Sequence, residues 1–156
     1  MAPTAQIVWF RRDLRLHDHH ALTDACHAAC ADGGVVVPVY VVDPAELEHT
    51  KASQLAAATG SGGLPRVGPF RAAFLIECLD SLRGQLQRMS SRLLIRRGDP
   101  RTVLLDLAHE LKRHGSPAVQ LRFHHEIGTE EAATTAELLD SLSAQGDWLS
   151  AQGYLG

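Results

Sequence analysis

Ile7-Val8-Trp9-Phe10-Arg11-Arg12-Asp13-Leu14-Arg15-Leu16-His17-Asp18 decides how this chain is read. Its first four residues are apolar without alternation, the pattern of a strand buried on both faces of a parallel sheet. Three arginines and two aspartates follow within eight residues, at the carboxyl end of that strand. Ligands of open α/β sheets bind at that end, so the charged turn is the first candidate site.

Working outward, Asp18 is the expected cap of a helix with Ala21, Leu22, Ala25, Cys26 and Ala29 at helical spacing, stopped by Asp32-Gly33-Gly34. Val35 to Val42 is a β-branched run closed by Asp43-Pro44, and Pro38 predicts that pairing starts at or after it, because proline has no N–H. A strand, a helix and a strand imply a right-handed crossover and a parallel pair. Ala45 to Val67 reads as a long surface loop with one short helix, weakest at Gly60-Ser61-Gly62-Gly63. Those glycines are not a phosphate loop, since no Lys-Ser/Thr follows and no strand leads into them.

Gly68-Pro69 opens the best helix of the chain, with Phe70, Phe74, Leu75, Cys78, Leu82 and Leu86 as its apolar stripe. Leu93 to Gly98 is a third strand. Asp99-Pro100 caps a helix carrying Val103, Leu104, Leu107, Ala108 and Leu111. Ala118 to Phe123 is a fourth strand, and Thr129 is the expected cap of a last helix reaching about Ala144. The fold class is therefore α/β: a Rossmann-like doubly wound parallel sheet of four or five strands with helices on both faces. Residues 1–145 form the domain; Gly146 to Gly156 reads as an irregular tail in which no fifth strand is legible.

The chain has 156 residues, room for one core, and a net charge of −3 that gives no electrostatic case for nucleic acid. No direct nucleic-acid or membrane partner is expected. Cys26, Cys30 and Cys78 are odd in number, which points to a reducing compartment, and they are expected on helical core faces. The nine histidines include His17, His19 and His20 at one strand exit and His124 and His125 at another. Their spacing fits no zinc signature, and no metal is expected. No nucleophile and base can be paired, so a self-contained enzyme is not expected. The arginines of the first turn either form an anion site or pair internally with Asp13 and Asp18. Nucleotide binding at the rim rests on fold analogy alone.

Val8 to Asp18 with Ala21-Leu22, Val39 to Pro44, Gly68 to Glu77, Leu93 to Pro100 and His125 to Glu131 together resemble the N-terminal α/β domain of the photolyase/cryptochrome family, most of all its DASH-type cryptochromes. His19 stands where that family usually has Asn. The resemblance implies a module without catalytic activity of its own that holds an antenna pigment, methenyltetrahydrofolate or a deazaflavin, or binds a protein. It also implies the alternative of the N-terminal part of a flavin-dependent light-driven DNA photolyase or blue-light receptor. The helical domain that binds FAD in the family has no counterpart in these residues; FAD is not expected on this chain alone, and such a domain, or another protein, is the implied partner.

A pigment needs an apolar wall and a few orienting polar groups. Phe10 and Phe123 are the candidate wall, with Arg11, Asp13, Asp43, His125 and Glu126 as the polar groups, all at or just past carboxyl ends of expected strands. For Asp43 a plain strand-ending role is the competing reading. For Arg71 and Glu77 the favoured reading is packing or an interface salt bridge.

Overall fold

A computed structural model describes residues 3–47 and 67–155. In chain order the elements are β1 (Ala5–Phe10), α1 (His20–Asp32), β2 (Val35–Val42), α2 (Pro44–Leu47), α3 (Pro69–Arg88), β3 (Leu94–Arg97), α4 (Pro100–Arg113), β4 (Val119–His124), α5 (Thr129–Ser143) and β5 (Leu149–Tyr154). The strands form one all-parallel sheet in the order β3-β2-β1-β4-β5. Every residue of β1 is buried, as its unbroken apolar run requires of the central strand. The chain winds from β1 through β2 to β3, then crosses back to place β4 on the other side of β1. The carboxyl ends of β1 and β4 therefore flank the point where strand order reverses, the usual ligand crevice of such sheets.

Two cores follow from the two faces. Ile7, Trp9, Val39, Leu121 and Phe123 pack with Leu104, Leu107 and Leu138 of α4 and α5. On the other face Val8, Phe10 and Tyr40 pack with Ala25 of α1 and Leu79, Leu82 and Leu86 of α3. Burying each of the larger side chains contributes about 1.5–3 kcal/mol. Caps set the helix limits. Gly33, at φ 72°, ends α1 in the left-handed region that glycine enters without strain. Asp99 accepts from the Thr102 amide at 3.0 Å to start α4.

Several expectations are corrected. The tail is not irregular: it forms β5, paired in parallel with β4 from Leu149 opposite Val119 to Tyr154 opposite His124. It is polar because it is an edge strand serving a buried arginine. Arg122 of β4 is only 6% exposed and donates to the side-chain oxygens of Gln6, Gln120, Gln152 and Tyr154. Pro38 lies within β2, opposite Val8, but β3 begins opposite Val39, so Pro38 stands where β2 has a neighbour on one side only.

His19, not Asp18, caps α1, and Asp18 sits at φ 51°. Gly128, not Thr129, caps α5. Cys26 and Cys30 are exposed and Cys78 is half-buried, so the first two leave the core to Ala21, Ala25 and Ala29. Phe70 and Phe74, 90% and 67% exposed, also lie outside the core, because the buried stripe of α3 is Leu79, Leu82 and Leu86. Within the expected long loop, Pro44–Leu47 forms the short helix α2; residues 48–66, with Gly60 to Gly63, lie outside the described residues.

Candidate functional site

The turn after β1 is fixed by Asp13. Its Oδ1 accepts from the Arg11 amide at 2.8 Å, and its Oδ2 lies 2.8 Å from His19 Nε2 and 2.6 Å from His124 Nδ1. Burial alone would push the Asp13 carboxyl up. The close approach of His19 Nε2 and the hydrogen bonds from the Arg11 amide and His124 outweigh it and hold the group well below the usual carboxylate range. The turn thus keeps an ionised acceptor at the junction of β1, α1 and β4.

The arginines of the turn do not pair with Asp13 and Asp18. Arg11 spreads over the Trp9 ring at 4.5 Å, donates to Thr135 at 3.0 Å and lies 3.6 Å from Glu126. Arg12 reaches Glu126 at 3.5 Å and also pairs with Glu131. Arg15 caps the Asp18 carbonyl at 3.2 Å. Glu126 from the β4–α5 loop therefore faces two guanidiniums, and its side chain is 12% exposed. A buried carboxylate in that position needs both cations, and removing them would leave an uncompensated charge.

Beside this turn opens a cavity of about 450 Å³, within the range of small-molecule sites. Trp9, Phe10, Tyr40, Val41 and Val42 from the ends of β1 and β2 line it, and Leu75, Phe74 and Cys78 of α3 close the opposite side. The polar groups on its wall are Arg11, Arg12, Asp13, Arg15, Asp43, Arg71 and Glu126. The Asp43 carboxylate also accepts from the Ala45 amide at 2.8 Å, so it holds the end of β2 as well.

Of the candidates read from the sequence, Phe10, Arg11, Asp13, Asp43 and Glu126 meet in this cavity, and Phe123 and His125 stand outside it. Phe123 is fully buried behind Trp9, ring centroids 5.8 Å apart. His125 is exposed, edge-on to Phe123, with its ring where a Cβ on Gly153 would sit. Sequence reasoning missed the contribution of α3. Arg71 lines the cavity, is exposed, and has no ion-pair partner among the described residues. Phe74 was expected to point inward. The readable signal was the spacing of Arg71, Phe74, Leu75 and Cys78 on one side of the first turns of α3, one stripe removed from Leu79, Leu82 and Leu86.

Asp13, His19 and His124 bring three donor atoms within 4.8 Å of one another, all buried or half-buried. His124 Nδ1 hydrogen-bonds the Asp13 carboxylate, whereas His19 Nε2 lies 2.8 Å from it in close contact but without hydrogen-bond geometry. The Leu22 amide donates to His19 Nδ1 at 3.1 Å, which leaves the ring hydrogen on Nε2 and no lone pair there for a metal. The 2.6 and 2.8 Å separations are also shorter than the roughly 3.3 Å between ligands placed about 2.0–2.1 Å from a tetrahedral zinc ion.

The description "DNA photolyase" belongs to a family model that matches residues 6–151. The chain is 36% identical over 142 residues to a blue-light photoreceptor, PHR2, of Arabidopsis thaliana, covering 91% of this chain and 28% of that one. It is 34% identical over 143 residues to a cryptochrome DASH of Gloeobacter violaceus, covering 92% and 25%. Among solved structures, a Synechocystis cryptochrome superimposes over the whole chain with a TM-score of 0.81 and 29% identity, and 28% of that chain is covered. The chain thus spans about a quarter of the length of the relatives it matches. With the signature turn, the five-stranded sheet and the rim cavity in place, the chain belongs to the DNA photolyase family, as its N-terminal α/β domain.

Proposed function

We propose that this domain holds an antenna pigment in the rim cavity and performs no chemistry by itself. The family binds flavin and folate-type chromophores. The observation that carries the reading is the combination of an aromatic wall, Trp9, Phe10, Tyr40 and Phe74, with Arg71, which has no ion-pair partner among the described residues, on the same cavity. A flat heteroaromatic ring of either pigment fits such a wall, and the glutamyl carboxylates of methenyltetrahydrofolate are anions that a guanidinium can take. Glu126, held by Arg11 and Arg12, offers a fixed acceptor for ring N–H groups. Titration of the purified chain with each pigment, followed by the pigment's own absorbance, tests this. One of the two should bind saturably at 1:1, and Glu126→Ala should weaken it about tenfold or more, the scale of one charge-assisted hydrogen bond. Equal affinity in that variant removes Glu126 from the site, and no saturable binding of either pigment removes the reading.

A second reading is favoured by the chain's coverage of about a quarter of its relatives. In it the domain serves as the N-terminal part of a flavin-dependent photolyase or blue-light receptor, and the exposed Phe70 and Phe74 support docking of a helical flavin domain beside the cavity. Light-dependent repair or photoreduction that appears only when such a domain is supplied would favour it.

A further inference from the structure

The hydrogens of the His19–Asp13–His124 cluster are fixed by its surroundings. His19 Nδ1 accepts from the Leu22 amide, so Nε2 carries the hydrogen and faces Asp13 Oδ2 at 2.8 Å. His124 donates from Nδ1 to the same oxygen at 2.6 Å, which leaves its Nε2 as a lone pair. A proton added to His19 Nδ1 would set two donors against each other at the start of α1. A proton added to His124 Nε2 breaks none of the hydrogen bonds formed among the described residues.

Each element packed around His124 contributes to its surroundings. Asp13 comes from the β1–α1 turn. His19 and His20 come from the start of α1, with ring centroids 4.4 and 6.5 Å away, and Tyr154 comes from β5 at 5.9 Å. Behind Tyr154, whose hydroxyl donates to Asp24 at 2.9 Å, Arg122 and Asp24 lie 3.9 Å apart and offset each other. The ionised group in contact with His124 is Asp13, and Asp13 also lines the cavity.

We propose that this cluster takes up one proton, on His124 Nε2, and that the proton is linked to occupation of the rim cavity by an anionic ligand. The linkage rests on reading the cavity as a pigment site. The neutral cluster presents the negative charge of Asp13 to a cavity that also holds Arg11, Arg12, Arg15 and Arg71. A protonated His124 cancels that charge without displacing Asp13. The anionic tail of a ligand then binds more tightly as pH falls. By reciprocity, ligand binding draws the proton in. One added charge in a partly screened site changes Kd about fivefold.

Two measurements test it. Nitrogen-15 spectra of the histidine rings between pH 8 and 5 should show His19 held as the Nε2–H tautomer throughout while His124 gains its second hydrogen. A titrating His19 beside an invariant His124 overturns the proposal. Calorimetry with folinic acid, whose glutamyl carboxylates stay ionised over this range, should give about fivefold tighter binding at pH 5.5 than at pH 8. His124→Asn, which keeps a donor near the Nδ1 position, should abolish the ratio. His19→Asn, which keeps the helix cap, should retain it. Folinic acid bound equally at both pH values overturns the linkage and leaves the pigment reading standing. If neither folinic acid nor a deazaflavin binds at either pH, both fall.

Discussion

Replacing Asp13 with Asn changes one atom and should cost more than most surface substitutions. The carboxylate accepts from the Arg11 amide at 2.8 Å and from His124 Nδ1 at 2.6 Å, and His19 Nε2 stands 2.8 Å from it. Asn has one acceptor oxygen. If that oxygen faces the histidines, the new NH₂ meets the Arg11 amide donor to donor; if it is flipped, both ring hydrogens lose their acceptor. Losing the charge from two hydrogen bonds costs about 0.5–1 kcal/mol each, and an unsatisfied buried amide about 1–3 kcal/mol. The sum is about 2–5 kcal/mol, or a fall in Tm of about 4–20 °C for a chain of this length.

The pH dependence gives a second reading of the same bond. Asp13 is held below its unfolded value by the Arg11 amide and the two histidine rings, so its contribution is fully present above about pH 4 and is lost as pH falls through the folded-state value. Thermal melts should therefore show the wild type more stable than Asp13→Asn throughout pH 7 to 5. The gap should narrow below pH 4, where only the wild type loses this contribution. A gap under about 0.5 kcal/mol at pH 7, or parallel acid slopes, would refute the reasoning about the turn.

Three further outcomes follow from burial and close approach. Leu82→Ala removes a fully buried side chain between α3 and the sheet and should destabilise the fold by about 2–5 kcal/mol in urea unfolding. Phe74→Ala, at 67% exposure, should leave stability within about 0.5 kcal/mol while weakening pigment binding, which separates a ligand wall from a core position. Gly153→Ala places a Cβ 2.0 Å from His125 Nε2. Because that imidazole is exposed it should swing away at a cost of about 0.5–1 kcal/mol, visible as loss of its ring-current shift against Phe123.

The parallel sheet, the stop of α1, the start of α4 and the location of the rim were legible because each rests on local chemistry. The buried run Ile7 to Phe10 marks the central strand, the Gly33 stop ends α1, and the Asp99-Pro100 start opens α4. The fifth strand was not legible. Gln152 and Tyr154 are polar because they satisfy Arg122, and that arginine is 30 residues away in the chain from Gln152. Half of the site was hidden for a similar reason. The residues of the β1 turn are contiguous and charged, whereas α3 presents Arg71 and Phe74 to the cavity from a helix whose apolar content reads as core. Glu126 was placed at the rim from its position after β4, but its pairing with Arg11 and Arg12 required the adjacency of β1 and β4. His19 combines a helix cap with a close approach to Asp13, and neither role is visible without the fold.

The central claim, that the rim cavity receives the pigment, is tested most directly through Trp9. Trp148 lies away from the cavity, beside His109 and Lys112, so Trp148→Phe leaves Trp9 as the single tryptophan, on the cavity wall. Titration of that variant with methenyltetrahydrofolate and with 8-hydroxy-5-deazaflavin should quench Trp9 emission saturably at one pigment per chain, with Arg71→Ala shifting the curve to higher concentration. Saturable pigment binding that leaves Trp9 emission unchanged would place the pigment elsewhere and contradict the account.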